Sequence, residues 1–274
     1  MLSDIPTIGQ ARIPIIGLGT WELRGKTCAR IVAEALRLGY RHIDTAEMYD
    51  NETSLSEGLG ASGIAREELF ITTKVWPSHF AAAALDRAAH DSVARLRLAS
   101  VDLLLLHWPN PQVPPRETIG ALCKVKRSGL ARHIGVSNFT VALIEEAVRL
   151  SDEPLVCNQI EVHPFLDQSK VIAAARKHGM AIVAYSPIAR GNAPSNALLA
   201  RIGKVHGKTA VQVSLRFLVQ QGLGVIPRTS NVERLRENLE ILDFELTPAE
   251  MREIAGLAKR DGRIVDFAFS PQWD

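Results

Sequence analysis

The chain has 274 residues, and 46% of them are hydrophobic, which is enough for a substantial core and close to the size of an eight-fold β/α barrel. The formal net charge is only +2, which argues against a nucleic-acid partner and against attraction to a membrane surface. No window of about 18 apolar residues could span a bilayer, and residues 1–7 lack the pattern of a signal peptide. We therefore expect a cytoplasmic protein whose Cys28, Cys123 and Cys157 are reduced thiols.

Strand-like and helix-like segments alternate along the chain. Residues 5–16, with turn formers around Gly9 and Pro14, predict a short hairpin before the main fold. The predicted strands are 15–20, 41–45, 69–74, 101–106, 132–136, 155–160, 181–184 and 224–227. The predicted helices are 27–38, 51–60, 81–97, 116–127, 140–150, 168–178, 196–206, 209–220, 232–240 and 248–259. Thr27 is expected to be the N-cap of the first helix and Gly39 its C-terminal stop.

Strict alternation of strands and helices predicts a parallel sheet, and eight such units in this length favour a closed barrel over an open sheet. There is no linker and no shift in composition. The prediction is one (β/α)8 TIM barrel domain over residues 1–274, with the tail 261–274 across the barrel.

The strand at 101–106 contains an unbroken apolar run, Leu103 to Leu106, which is typical of a strand buried on both faces. His107 follows it, and Pro109 closes the strand because proline cannot donate to a ladder. The carboxyl end of a buried parallel strand is where α/β proteins place chemistry. His107 could instead merely hydrogen-bond a loop.

Residues 58–63 read Gly-Leu-Gly-Ala-Ser-Gly and fit the dinucleotide fingerprint G-x-G-x-x-G. That motif needs a strand before it and a helix after it, whereas here a predicted helix precedes it and a strand follows. We interpret the segment as a helix exit. No P-loop, HExxH or CxxC motif is present and the histidines show no ligand spacing, so no metal site is predicted.

Four polar residues lie at the carboxyl ends of the early strands: Asp44, Tyr49 just beyond it, Lys74 and His107. Each has an ordinary alternative, as a turn cap, a surface aromatic, a solvated amine and a structural imidazole respectively. Their shared position argues against four unrelated roles, because the ends of the strands converge on one mouth of a barrel.

Together these residues form a proton-donating set. A free tyrosine has a pKa of about 10, and a nearby ammonium such as Lys74, held by Asp44, would lower it. His107 could orient a carbonyl oxygen, so that the set could protonate a developing alkoxide, as carbonyl reduction requires. None of the four supplies a hydride, which implies a nicotinamide cofactor.

The chain resembles the aldo-keto reductases over nearly its whole length, with the closest likeness to bacterial 2,5-diketo-D-gluconate reductases, which often also reduce methylglyoxal. The order and spacing of the segments carry the resemblance. The matching segments are 17–21 (GLGTW), 41–46 (RHIDTA), 49–52 (YDNE), 73–76 (TKVW), 107–109 (HWP), 135–139 (GVSNF), 158–161 (NQIE), 185–187 (YSP) and 226–229 (IPRT).

The resemblance implies a role for each matching residue. Asp44, Tyr49, Lys74 and His107 are similar to the catalytic tetrad, with Tyr49 as the general acid. Further positions resemble the cofactor-binding site. The resemblance implies that the nicotinamide carboxamide binds at Ser137, Asn138 and Gln159, that the nicotinamide ring stacks on Tyr185, and that the pyrophosphate binds at Ser186, Pro187, Ile188 and Gly191. It also places the adenosine 2′-phosphate at Arg228, Thr229, Ser230 and Arg234, the adenine near Glu237 and Asn238, and the remaining contacts at Gly19, Thr20, Trp21, Asp44 and Ile226. The substrate pocket is expected to be walled by Trp21, Tyr49, Trp76, His107, Trp108 and Trp273.

The residues themselves support a phosphate site near the predicted strand at 224–227. Arg228 and Arg234 flank the start of a predicted helix, and guanidinium groups together with a helix N-terminus attract a phosphate dianion. Two solvated arginines are the ordinary alternative. Position 228 is arginine where the family most often has lysine, so NADPH is the expected cofactor and NADH stays possible.

The resulting hypothesis is a monomeric NADPH-dependent reductase of small aldehydes and ketones, including dicarbonyls such as methylglyoxal and keto-sugars such as 2,5-diketo-D-gluconate. One alternative is a cofactor-binding regulatory or structural barrel without significant turnover. Another is a barrel isomerase or aldolase that works without nicotinamide and uses Lys74 as a Schiff-base lysine.

Overall fold

The computed structural model describes residues 7–274. The prediction about a signal peptide concerns residues 1–7 and the predicted hairpin begins at residue 5, so both extend outside the described residues. Within them, strands β1 (Thr7–Ile8) and β2 (Ile13–Pro14) pair antiparallel, which confirms a short hairpin ahead of the barrel.

Eight further strands form one parallel sheet in chain order. They are β3 (Gly17–Gly19), β4 (His42–Asp44), β5 (Phe70–Val75), β6 (Val101–Leu106), β7 (Ala131–Ser137), β8 (Leu155–Glu161), β9 (Ala181–Tyr185) and β10 (Gly224–Val225). Ile16 forms a parallel bridge with Val225, and the Val225 N–H donates to the Ile15 carbonyl at 2.8 Å. This contact brings the first and last strands together, so the predicted (β/α)8 barrel is confirmed.

The helices surround the sheet. They are α1 (Gly25–Leu38), α2 (Glu52–Ser62), α3 (Ala82–Leu96), α4 (Pro115–Arg127), α5 (Val141–Leu150), α6 (Ser169–Lys177), α7 (Asn192–Ser195), α8 (Ala197–His206), α9 (Ala210–Val219), α10 (Val232–Leu239) and α11 (Pro248–Ala255). No helix among residues 7–274 is long and apolar enough to cross a membrane.

Two predicted helix ends were wrong and one was confirmed. Helix α1 begins at Gly25 with Arg24 as its N-cap, so Thr27 lies inside the helix. Helix α11 ends at Ala255 instead of 259, with Gly256 as its C-cap, and the Lys259 N–H donates to the Phe165 carbonyl at 3.1 Å. Gly39 ends α1 as predicted, with a φ of 114° that L side chains rarely adopt.

The core has two layers. Leu103 and Leu105 point into the barrel, where they pack with residues of the opposite strands, whereas Leu104 and Leu106 pack against the surrounding helices. Alternate side chains of a strand face opposite ways, so an apolar run of this length fills both layers. The prediction of a strand buried on both faces is confirmed. The three cysteines are buried free thiols.

The segment at 58–63 does not have the context of a dinucleotide motif. It forms the end of α2 and the turn at Gly63. A Cβ on Gly58 would lie 2.6 Å from the Ala29 carbonyl oxygen and 2.7 Å from the Val32 Cβ. Gly58 therefore permits the close packing of α2 on α1.

The tail lies across the mouth of the barrel, as predicted. It passes the loop between β8 and α6 so closely that a Cβ on Gly262 would lie 1.9 Å from the Phe165 carbonyl oxygen. Beyond this point Phe267 and Phe269 each pack edge-on against Trp108.

Candidate active site

Four polar side chains meet at the mouth of the barrel. Asp44 ends β4, Lys74 lies near the end of β5, and His107 follows β6. Tyr49 ends a 3₁₀ turn (Glu47–Tyr49) that connects β4 to α2. Parallel strands present their carboxyl ends at one rim, which explains why residues far apart in the chain come together.

The loop that carries Tyr49 is fastened to the first βα loop. Asp50 has a φ of 51°, so the chain reverses immediately after Tyr49. The side chain of Asn51 is buried and donates to the carbonyls of Thr20 at 2.8 Å and Leu23 at 2.9 Å. Its Oδ1 accepts from Thr45 Oγ1 at 2.7 Å. These bonds fix the direction in which the phenol points.

Lys74 lies at the centre of the group. Its Nζ donates to Asp44 Oδ1 at 2.5 Å, to the Thr45 carbonyl at 2.8 Å and to Tyr49 Oη at 3.4 Å. The ring of His107 lies edge-on to that of Tyr49, with 5.7 Å between the ring centroids. The structure therefore brings together all four residues singled out from the sequence.

Burial controls the charge state of these groups. Burial tends to lower the pKa of Lys74, but attraction to Asp44 and Tyr49 outweighs it, so the pKa is raised and the amine stays charged. Burial raises the pKa of Tyr49, and Lys74 opposes that rise without cancelling it. The expectation that Lys74 lowers the pKa below that of a free phenol was therefore wrong. Burial, followed by the charge of Lys74, lowers the pKa of His107 well below its usual value.

A cavity of about 150 Å³ opens above Tyr49 and His107. It continues past Ser137 and Gln159 to the ends of β9 and β10. Twelve of the positions predicted to bind a cofactor line it, namely Gly19, Thr20, Trp21, Asp44, Ser137, Asn138, Gln159, Tyr185, Ser186, Pro187, Ile226 and Arg228. The cavity forms a cleft that Tyr49 and His107 also line, whereas Lys74 is buried and bonded to Asp44 and Tyr49.

The amide side chains on the floor of the cleft are held by the protein. Asn138 Nδ2 donates to the His107 carbonyl at 2.9 Å, and its Oδ1 accepts from Tyr185 Oη at 2.7 Å. Gln159 Nε2 donates to Asp44 Oδ2 at 2.7 Å. Asn138 has a φ of 63°, a conformation that is strained for most residues and is concentrated at functional sites.

The remaining positions with a predicted cofactor role lie beyond the cleft. Ile188 and Gly191 belong to the loop after β9. In this loop Ser186, Ala189, Arg190 and Gly191 have positive φ values. Thr229 is buried and Ser230 exposed in the loop after β10, and Arg234, Glu237 and Asn238 lie on α10, where Arg234 and Glu237 are exposed. Asn231 caps α10 by accepting from the Glu233 N–H at 2.7 Å.

The predicted aromatic walls divide into two pairs. Trp21 and Trp108 line the cleft. Trp76 lies behind His107 with its ring centroid 5.1 Å away, and Trp273 packs on the far side of Trp108. Trp76 and Trp273 therefore support cleft residues without lining the cleft.

Four lining residues were not singled out from the sequence: Met48, Arg190, Val265 and Phe267. Met48 and Arg190 could have been found from the sequence, because each lies next to or within a segment with a predicted role in the site. Val265 and Phe267 belong to the tail, which was expected to cross the barrel, but its lack of periodicity did not indicate which of its side chains would reach the cleft.

Comparison with known proteins agrees with this arrangement. The model of the Aldo/keto reductase family matches residues 15–259. Methylglyoxal reductase DkgB of Escherichia coli O157:H7 is 39% identical over 265 residues, which cover 96% of this chain and 99% of that protein. An aldo-keto reductase of Mycobacterium sp. (strain MCS) is 41% identical over 246 residues, which cover 89% of this chain and 87% of that one.

Solved structures share the fold over almost the full length. A crystal structure described as a candidate 2,5-diketo-D-gluconic acid reductase B is 46% identical, with a TM-score of 0.97 and coverage of 99% of this chain and 98% of that one. The Bombyx mori aldo-keto reductase in complex with NADP is 32% identical, with a TM-score of 0.89 and 97% coverage of both chains. The family match, the relatives and the shared fold together establish that this chain belongs to the aldo/keto reductase family.

Proposed function

We propose that this chain is an NADPH-dependent reductase of small aldehydes and ketones in which Tyr49 is the general acid. The observation that carries the proposal is the position of Lys74 Nζ, between Asp44 Oδ1 and Tyr49 Oη, beneath a cleft. A carbonyl oxygen above Tyr49 would meet a phenol that keeps its proton at neutral pH, because burial raises the pKa of that group.

The residues of the cleft suit a dinucleotide. Ser137, Asn138 and Gln159 present hydroxyl and amide groups beside the Tyr185 ring, which is the chemistry that a nicotinamide carboxamide needs. Arg228 also lines the cleft, and Arg234 is exposed in the first turn of α10, which begins four residues after Arg228. Guanidinium groups and a helix N-terminus favour a phosphate such as the adenosine 2′-phosphate of NADPH.

Each member of the tetrad has a distinct role in this proposal. The reduced nicotinamide supplies the hydride when it is bound. Tyr49 donates its proton to the oxygen that becomes the alcohol, and the ammonium of Lys74 stabilises the phenolate that remains. Asp44 holds Lys74 in place. His107 is neutral near pH 7 and orients the carbonyl oxygen by hydrogen bonding.

The substrate class follows from the relatives and from the cleft. Two of the similar proteins reported above carry the names methylglyoxal reductase DkgB and 2,5-diketo-D-gluconic acid reductase B, which point to dicarbonyls and keto-sugars. Beside Tyr49 and His107 the cleft is lined by Trp21, Trp108 and Phe267, so a small carbonyl compound above Tyr49 would have aromatic neighbours. The raised pKa of Lys74 argues against a Schiff-base lysine, because that chemistry requires a neutral amine.

Replacing the phenol tests the proposal. Tyr49→Phe should lower kcat for methylglyoxal with NADPH by about 10²- to 10⁴-fold, the usual contribution of a general acid. Binding of NADPH, measured by quenching of protein fluorescence, should be retained. Both kcat and cofactor binding should also be measured with NADH for comparison. Tyr40→Phe is the matched control, since it removes another buried phenol oxygen that contacts α10 and lies outside the cleft. A Tyr49→Phe protein with the kcat of the wild type would overturn the proposal.

A further inference from the structure

One buried carboxylate at the barrel mouth is not used by the mechanism above. Glu161 ends β8, and its side chain is 0% exposed. Its Oε1 accepts from the Ile264 N–H at 2.8 Å and its Oε2 from the Val265 N–H at 2.9 Å. Both oxygens of the carboxylate are therefore bonded to the backbone of the tail.

Two further side chains surround this carboxylate. His163 Nδ1 accepts from the Phe165 N–H at 3.3 Å, so the ring proton is on Nε2, which donates to Glu161 Oε1 at 2.9 Å. Arg263 Nη1 lies 4.0 Å from Glu161 Oε2, and the guanidinium stacks 3.5 Å above the Trp273 ring. The charge of Glu161 thus has donors on each side, as a buried anion requires.

The residues held by Glu161 lead directly to the wall of the cleft. Val265 and Phe267 line the cleft together with residues at the ends of β3 and β4. Residues 260–274 contain no helix or strand, so no regular hydrogen-bond ladder fixes this wall. Besides Glu161, the wall is supported by the Phe267 N–H, which donates to Ser270 Oγ at 2.9 Å, and by edge-on packing of Phe267 on Trp108, with ring centroids 5.5 Å apart.

We propose that Glu161 is a positioning residue that sets the substrate range by fixing the wall formed by Val265 and Phe267. The inference rests on the proposed reductase function and deepens it. A three-carbon dicarbonyl held over Tyr49 does not need this wall. A five- or six-carbon keto-sugar extends from Tyr49 towards the tail and packs against it. Glu161 therefore acts on the longer substrates and leaves the proton transfer unchanged.

Glu161→Gln tests this role with little change of shape. The amide nitrogen cannot accept the backbone N–H that faces it, so one of the two bonds to the tail is lost. Loss of one hydrogen bond to a charged group should raise KM for 2,5-diketo-D-gluconate about tenfold or more. The kcat and KM for methylglyoxal should stay within about threefold of the wild type. Glu67→Gln, at an exposed position outside the cleft, is the matched control and should change neither substrate.

A second measurement needs no turnover. In the wild type, hydrogen exchange at the amides of 264 and 265 should be much slower than at the exposed residues 268 and 269, although all four lie outside regular structure. In Glu161→Gln this protection should fall. Equal loss of activity for both substrates, or unprotected amides at 264 and 265 in the wild type, would overturn the inference. A wild type that protects these amides but reduces neither substrate would instead refute the proposed reductase function.

Discussion

At the scale of single residues, the main feature of the site is a charge that is removed from solvent. Lys74 is 1% exposed and stays protonated because Asp44 accepts from its Nζ at 2.5 Å. Tyr49 and His107 are both neutral near pH 7, the first because its pKa is raised and the second because its pKa is lowered. The site thus holds one ion pair and two neutral groups beside the cleft.

These directions predict an unusually flat pH profile. The pKa of His107 lies below its usual 6.5 and that of Tyr49 above its usual 10.0, so neither group changes charge between these two values. We expect kcat/KM for methylglyoxal to be constant between pH 6.5 and pH 10.0 and to fall only above, where Tyr49 loses its proton. The measurement is a pH–rate profile, with circular dichroism at each pH to show that the protein stays folded. An apparent pKa of about 8 in the profile would contradict this assignment.

The sequence could predict which residues meet but not how their pKa values shift. Asp44, Lys74 and His107 stand out because each follows or ends a strand, and strand ends converge in a barrel. The effect of burial on Tyr49 depends on Trp21, whose ring lies 4.9 Å from that of Tyr49, and on other side chains that the sequence does not place. The sequence indicated Glu161 only as part of the matching segment 158–161, because the backbone groups that bond to its carboxylate belong to the tail.

At the scale of elements, helix α2 contains two glycines with opposite consequences for stability. A Cβ on Gly58 would lie 2.6 Å from the Ala29 carbonyl oxygen, whereas a Cβ on Gly60 would meet nothing within 4 Å. Gly58→Ala should therefore lower the free energy of unfolding by about 1–3 kcal/mol through overpacking. Gly60→Ala should raise it by about 0.5–1 kcal/mol because alanine favours the helix.

Urea unfolding of the two variants checks this pair, with each serving as the control for the other. Both substitutions add one methyl group to the same helix and change its helix propensity equally. An increase of both midpoints would show that propensity outweighs the contact between α1 and α2, and a decrease of both would contradict the predicted gain at Gly60.

The elements themselves were predictable because their signals are local. Alternating apolar runs and amphipathic segments gave the eight strands and every helix except the four-residue α7, and Gly39 marked a helix end through its backbone freedom. The start of α1 was missed because Arg24 precedes it without a side-chain cap. The end of α11 was missed although Gly256 follows it directly as the C-cap, because the apolar spacing continues past this glycine.

At the scale of the whole molecule, the two ends of the barrel have different tasks. The tetrad lies at the mouth, and a second charged cluster lies at the base around Asp102, at the start of β6. Asp102 Oδ2 accepts from the Ile71 N–H at 2.8 Å and forms an ion pair with Arg66 Nη2 at 2.7 Å, and its Oδ1 accepts from Arg132 Nη1 at 2.9 Å. This carboxylate therefore links β5, β6 and β7 at the end of the barrel away from the cleft.

Asp102→Asn should lower the stability of the protein without changing its activity. We expect the free energy of unfolding to fall by about 1.5–3 kcal/mol, the contribution of a hydrogen bond to a charged group. The kcat for methylglyoxal, measured well below the unfolding temperature, should match the wild type because the base does not contact the cleft. Asp152→Asn, at an exposed position, is the control and should change stability by less than about 0.5 kcal/mol. A folded Asp102→Asn protein with reduced kcat would contradict this division.

The contact between Ile16 and Val225 also constrains how the protein forms. These residues are about 200 positions apart, and such distant partners make folding slow. During translation the ribosome must release most of the polypeptide before the earliest barrel strand finds its second neighbour. Until then Ile15, Ile16 and Leu18, which are buried in the finished protein, face water along an open sheet edge. The nascent chain is therefore most exposed to aggregation, and most dependent on chaperones, just before its last strand emerges.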